Sequence, residues 1–399
     1  FLQAAARSST LSRQTVLCSY KQNRAVLFLA QIIRRLPMNA LSPLRLLRQL
    51  VALTTLGIAT LALNGCALQT ASNAPTITTA ANSRLVIEDF MVPSDDAGIN
   101  LYVRNKRLAT TTSFNKDNVV LFVHGATYPS ETGFDLRLDG LSWMDVLAQQ
   151  GFDVYMVDIR GYGKSTRPAA MDQPPMQNKP IADTDTAARD YAAAADFVRK
   201  RRGVEKINVI GHSWGTAITA LYTTRHADKV NRLVLFAPVW LRKTASLTDS
   251  GGALGAYRTV TIEAAFKRKN TGVIPGRDPQ PKAWFDAWAE ATFASDPVGS
   301  QANPKYVRAP NGSVQDSRLF WRAGKPAFDP KLLTVPTLLI LAEWDADTPP
   351  YMAETLFPLL TNSPNKKLVI LSEGTHGIMN EVKRFSLFNE VARFYQDGL

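Results

Sequence analysis

From Arg84 onward the chain alternates short apolar runs with longer stretches of helical period. Leu85-Val86-Ile87 and Asn100-Leu101-Tyr102-Val103 read as two strands joined by a turn over residues 94–98. Val119-Val120-Leu121-Phe122-Val123 is apolar throughout, the pattern of a strand buried on both faces. A helix is predicted over 138–149 and ends at Gly151; a strand follows over Asp153–Val157. After a proline-containing loop, an alanine-rich helix is predicted over Thr184–Arg202, with a basic last turn and Gly203 behind it, which suits the helix dipole. The pattern continues with a strand over 207–210, a helix ending near His226, and a strand over 232–236. Later come a strand over 337–341, a helix over 351–360, a strand over 367–371 and a helix over 380–395. Such alternation predicts an α/β fold with a mostly parallel sheet covered on both faces.

One stretch breaks the alternation. Residues 240–332 are too many for a loop in a compact domain. They contain helical patches over 261–268 and 282–293 and few runs suited to strands. The expectation is a mainly helical lid inserted into a core made of 84–239 and 333–399. The insertion carries Trp240, Trp284, Trp288 and Trp321, four of the seven tryptophans. A roof with so many indoles points to an aromatic or apolar substrate pocket, and Trp240 is the one assigned to substrate. Between 241 and 330 there are 13 Lys/Arg against 8 Asp/Glu, a surplus that reads as a solvated face.

Composition changes this picture little once the first residues are set aside. The formal charge is +12, but residues 1–66 hold eight Lys/Arg and no acid. Without them the balance is 38 basic against 34 acidic, or +4, so charge gives no case for nucleic-acid binding. The two cysteines, Cys18 and Cys66, precede the globular pattern and offer it no disulfide. Four histidines argue against a histidine-rich metal site, and no metal or cofactor is expected.

The candidate chemistry centres on Gly211-His212-Ser213-Trp214-Gly215, between the run Ile207-Asn208-Val209-Ile210 and a helical stretch. G-x-S-x-G in that setting is a nucleophile elbow, whose glycines make room where strand and helix converge. A serine hydroxyl needs a base to take its proton, and histidine has the suitable pKa. His124 ends an early strand, His212 neighbours the serine and should point away, and His226 lies at the far end of the helix. That leaves His376, in Glu373-Gly374-Thr375-His376-Gly377 after the last strand. The base needs a carboxylate, and Glu343-Trp344-Asp345-Ala346-Asp347 offers three.

Over 84–399 these residues, with His124-Gly125-Ala126 and Asp158-x-Arg160-Gly161-x-Gly163-x-Ser165, resemble the α/β-hydrolase superfamily. The resemblance implies the α/β-hydrolase fold and a catalytic Ser213, His376 and Asp345. Asp347 is then the second choice of acid, otherwise a cap for the helix near Pro350. The oxyanion hole would use the N–H groups of Trp214 and Ala126, and Thr127 could add a hydroxyl to substrate binding. Asp158 and Arg160 read as structural. The expected function is hydrolysis of a small-molecule carboxylic ester by a monomer. Amide or peptide cleavage stands second. Carbon–carbon hydrolysis uses the same residues, and the non-enzymatic alternative is a silent binding module. The sequence resembles proline iminopeptidases in its tryptophan after the nucleophile, but has His124-Gly125-Ala126-Thr127 where they carry His-Gly-Gly-Pro.

The residues before Arg84 read as processing segments. Residues 1–37 begin with Phe, contain no Met, and are expected to be upstream sequence. Residues 38–65 have the layout of a signal peptide: Met38, Arg45 and Arg48, then an apolar stretch over 50–63. Leu63-Asn64-Gly65-Cys66 resembles a bacterial lipoprotein box, which implies lipidation of Cys66. Ala67 then resembles an outer-membrane address, with the enzyme on the periplasmic face. Residues 66–83, rich in Thr, Ala, Ser and Asn, read as a flexible tether.

Overall fold

Apolar runs too short to span a helix bundle find their partners side by side in one sheet. The computed structural model describes residues 84–397; the expectations for 1–83, among them the signal peptide, Cys66 and the tether, lie outside the described residues. In chain order the strands are β1 (Leu85–Pro93), β2 (Asn100–Leu108), β3 (Val119–Val123), β4 (Asp153–Val157) and β5 (Ile207–His212). They continue with β6 (Val230–Phe236), β7 (Tyr257–Thr261), β8 (Tyr306–Pro310), β9 (Thr337–Ala342) and β10 (Lys366–Leu371). Eight of them form one sheet in the order β1-β2-β4-β3-β5-β6-β9-β10. β1, β2 and β4 pair antiparallel, and β4 through to β10 run parallel.

The helices are α1 (Ser130–Phe134), α2 (Trp143–Gln149), α3 (Thr184–Arg202), α4 (Trp214–Arg225) and α5 (Ile262–Lys269). After these come α6 (Lys282–Ala294), α7 (Gly312–Asp316), α8 (Pro350–Leu356) and α9 (Arg384–Asp397). Alternate residues of the central strands enter opposite layers, because the side-chain period of a strand is two. Leu121, Val209, Leu235 and Leu339 pack with Tyr191 and Ala194 of α3, Ala217 of α4 and Met352 of α8. Phe122, Ile210, Val234 and Leu338 pack with Trp143 of α2 and Phe388 of α9. Trp143 stacks on Phe388 at 4.9 Å and meets Phe122 edge-on at 5.1 Å. Each such fully buried side chain contributes about 1.5–3 kcal/mol.

Four elements differ from the pattern-based expectation, each for a local reason. The helix expected over 138–149 starts only at Trp143. Asp139 and Gly140 both have left-handed backbone, and Ser142 then forms a capping box with Asp145. The helix expected over 351–360 stops at Leu356 and tightens into a 3-10 turn containing Pro358. The last helix begins at Arg384 instead of 380, since residues 378–380 form a separate 3-10 turn. The segment between β6 and β9 has the expected helices as α5 and α6, but also a two-stranded antiparallel ribbon of β7 with β8 that helical patterning alone misses.

That inserted segment has a small apolar cluster of its own, with Phe285, Trp288, Phe293 and Val307. Arginines join it to the rest of the chain. Arg308 pairs with Asp296 inside the segment and donates to the Met171 carbonyl at 2.7 Å. Arg258 of β7 donates to the Ala126 carbonyl at 2.7 Å.

Candidate active site

β5, an interior strand, delivers Ser213 just past its C-terminal end, and the geometry there admits few residue types. Ser213 has φ 57° and ψ −122°, a region that costs a non-glycine residue about 1–3 kcal/mol. Neighbouring bonds hold it in place. Its N–H donates to the Phe236 carbonyl at 2.9 Å, and its carbonyl accepts from the Thr216 N–H and hydroxyl at 2.8 and 2.6 Å. A Cβ on Gly211 would stand 2.1 Å from the Gly215 carbonyl oxygen, and one on Gly215 2.6 Å from that of His124. Strand, turn and helix therefore approach as closely as only glycine allows.

The candidate base and its candidate acid come from the two loops after β9 and β10. These loops are bonded to each other: Trp344 N–H donates to the Gly374 carbonyl at 3.0 Å, and Glu373 N–H to the Glu343 carboxylate at 2.7 Å. His376 Nδ1 meets Asp345 Oδ2 at 2.8 Å. Asp345 also accepts from the Thr348 N–H at 2.8 Å and the Thr348 hydroxyl at 2.9 Å. Its carboxylate is thus fixed on three sides. His376 Nε2 is buried and has no protein partner among the described residues. Ser213 and His376 line one cavity, without a hydrogen bond between them in this conformation. Burial alone would depress the His376 pKa, but the Asp345 and Asp347 carboxylates outweigh it and hold it above its ordinary value. His212 stacks on Phe236 at 4.6 Å, and its Nε2 lies 3.1 Å from the His376 carbonyl. Burial keeps it neutral, so Nε2–H is the donor in that contact.

Asp347 has a different role from the one expected of it as a helix cap. α8 is preceded by Pro349 and has no side-chain cap. The Asp347 carboxylate instead receives Arg268 Nε at 3.0 and 3.1 Å, which with His376 holds its pKa below the usual range despite burial.

The His124–Thr127 turn lies against the elbow, where a Cβ on Gly125 would come within 3.0 Å of Ser213 Cβ. His124 is neutral, its pKa pushed by burial to about 4; Nδ1 faces the Gly125 carbonyl and Nε2 accepts from the Ile159 N–H. Neither the Ala126 N–H nor the Trp214 N–H has a hydrogen-bond partner among the described residues. The Ala126 carbonyl is held from behind by Arg258 and Tyr162. Thr127 lines the cavity, with its hydroxyl accepting from Arg268 at 2.9 Å and Arg258 at 3.1 Å. Asp158 and Arg160 serve the scaffold: Asp158 accepts from the Ser130 and Lys164 N–H groups, and Arg160 pairs with Asp190 and Asp96.

Two cavities flank Ser213. The larger is mostly apolar, with Tyr128, Phe134, Trp288 and Met379 in its wall. The smaller holds Trp214, Arg242, Ser313 and Trp321. Arg268 and Asp347 border both. Trp240, expected at the substrate, lines neither; it is buried against Phe328 at 5.4 Å, because the chain turns into the apolar core directly after β6. Trp288 is the insertion tryptophan that reaches the larger cavity. The insertion's basic surplus is also not wholly a solvated face, since Arg268 and Lys269 reach the cavity wall. The sequence offered one clue to them: the run Lys267-Arg268-Lys269 closes a helix in the inserted segment.

A family model described as alpha/beta hydrolase fold matches residues 118–379. The chain is 25% identical to a proline iminopeptidase of Neisseria gonorrhoeae over 287 residues, 66% of this chain and 84% of that protein. It is 27% identical to gastric triacylglycerol lipase of Mus musculus over 143 residues, 34% of this chain and 35% of the lipase. Among solved structures, a 2-hydroxy-6-oxo-6-phenylhexa-2,4-dienoate hydrolase from Rhodococcus superposes with a TM-score of 0.54 at 14% identity, covering 78% of this chain and 99% of that one.

Proposed function

The chain belongs to the alpha/beta hydrolase fold family, and from that premise we propose that it is a serine hydrolase of carboxylic esters. The observation that carries the reading is the His376 imidazole. One nitrogen is bound to a fixed carboxylate, and the other is unpaired in the cavity of a strained serine. In this mechanism Ser213 Oγ attacks the ester carbonyl while His376 Nε2 takes its proton. Asp345 holds the tautomer and favours the imidazolium that results. Negative charge on the tetrahedral oxygen falls to the free N–H groups of Trp214 and Ala126, each such donor worth about 3 kcal/mol. The imidazolium returns the proton to the leaving alkoxide. A water, deprotonated by His376, then releases the acid and frees Ser213. The Ser213–His376 hydrogen bond, not made in this conformation, is of the kind that forms when substrate binds.

Similarity to proline iminopeptidases favours amide cleavage as the second reading. A peptide amino terminus would need a free carboxylate to receive it. Asp347, in the wall of both cavities, is already committed to Arg268, which supports the ester reading. A fluorophosphonate probe tests the proposal: it should label the wild type and not Ser213→Ala, and an ester panel should be turned over faster than matched anilides. Failure of the wild type to label would point to a silent binding module. For residues 66–83 we retain the proposal of a lipid anchor on Cys66. Cys66→Ala should then move the protein from membranes to the soluble fraction, and retention on membranes would overturn it.

A further inference from the structure

Two polar groups in the larger cavity have no part in the chemistry above. Lys269, the last residue of α5, places its ammonium 4.2 Å from the centre of the Trp288 ring. The Cβ that Gly377 lacks would stand 3.2 Å from the same Nζ, so the cation lies beside the residue that follows His376. Among the described residues it has no hydrogen-bond acceptor and no carboxylate in ion-pair reach. The acids around it are otherwise engaged. Asp347 pairs with Arg268, Asp345 with His376 and Thr348, and Glu381 accepts from the N–H and the hydroxyl of Thr375. Burial pushes the Lys269 pKa down to about 8, with Glu381 acting against that shift and Arg268 adding to it.

The second group is the Tyr128 hydroxyl. It is buried without a protein partner, and its ring meets Trp288 edge-on at 4.8 Å. An ammonium and a phenol, both unpaired, therefore border one indole. A buried ammonium and a buried hydroxyl that make no hydrogen bond are each unfavourable, and a carboxylate entering the cavity would accept from such donors. Phe134 and Met379 line the same cavity and suit an apolar stem.

We infer that the substrate carries a carboxylate at the end of an apolar or aromatic stem, held by the Lys269 ammonium and the Tyr128 hydroxyl beside Trp288. That the bound anion is a substrate rests on the serine-hydrolase reading; binding of the anion does not need it. Calorimetry on the inert Ser213→Ala protein tests it, with phenylbutanoate against phenylbutanamide as probes. The acid should bind at least about tenfold more tightly, as expected of a charge-assisted pair of hydrogen bonds. Lys269→Met and the near-isosteric Tyr128→Phe, each in that background, should each shrink the preference. In the wild type, nitrophenyl hydrogen glutarate should exceed nitrophenyl pentanoate in kcat/KM, and both substitutions should reduce that ratio. Equal binding of acid and amide, or a preference that survives both substitutions, overturns the anion site while leaving fluorophosphonate labelling intact. Tight binding of the acid without labelling or ester turnover overturns the hydrolase reading and leaves the anion site standing.

Discussion

Asp345 and Asp347 are the same side chain two positions apart, yet the fold gives them different work. Asp345 is bound by His376 and twice by Thr348, whereas Asp347 is bound by Arg268. Asp345→Asn should lower kcat by about ten-thousandfold, since the wrong tautomer of His376 would be held. Asp347→Asn should lower kcat far less but reduce Tm by about 3 °C, because it strands a mostly buried guanidinium at a cost of about 2 kcal/mol. Steady-state kinetics with thermal melts would decide, and the reverse ordering would overturn the choice of acid. The pH profile belongs to the same scale. Catalysis needs neutral His376, whose pKa is raised in the fold, so kcat/KM should climb with pH along a limb centred above the ordinary imidazole value. The stability effect has the opposite sign. A raised folded pKa stabilises the protein fully below the unfolded value, and that contribution is lost as pH rises through the folded one. A limb centred below the ordinary value would contradict the role of the two carboxylates.

At the scale of elements, what matters is how closely backbones approach. Gly215 sits where β3 and α4 nearly touch, and an added Cβ would meet two carbonyl oxygens, of His124 at 2.6 Å and Val123 at 2.7 Å. Backbone cannot rotate aside as a side chain can. Gly215→Ala should lower kcat at least about tenfold and cost about 1–3 kcal/mol as overpacking. Gly203, in the left-handed position after α3, is the contrast: nothing lies within 4 Å of its missing Cβ. Gly203→Ala should cost about 1–2 kcal/mol of stability with kcat intact. Equal kinetic effects from the two would show that crowding at the elbow is not what positions Ser213. The β7–β8 ribbon illustrates the opposite situation. No residue of β7 is fully buried, so it has no hydrophobic signature. Its register with β8, Tyr257 opposite Pro310 and Thr261 opposite Tyr306, is set by a partner distant in sequence.

Across the whole molecule, the inserted segment and the sheet share the construction of the site. Arg258 reaches from β7 to the Ala126 carbonyl and the Thr127 hydroxyl, and Arg268 from α5 to Thr127 and Asp347. Part of the candidate oxyanion turn is therefore positioned from the insertion. Arg258→Met should lower kcat about tenfold or more with a smaller effect on KM, and should speed hydrogen exchange at 257–261 while β3 and β5 stay protected. Unchanged exchange and kcat would mean that the insertion rests on the core without steering it. The sequence by itself determined the parallel sheet, the elbow at Ser213 and the placement of His376 after the last strand. Those follow from local period and from glycines that short-range geometry requires. It left three acids open after β9, placed Trp240 at the substrate, and read the insertion's charges as solvated. Which carboxylate meets the imidazole, which indole faces the cavity and which cation goes unpaired are contacts between loops far apart along the chain. Only the packing of those loops, where one buried group excludes another, decides them.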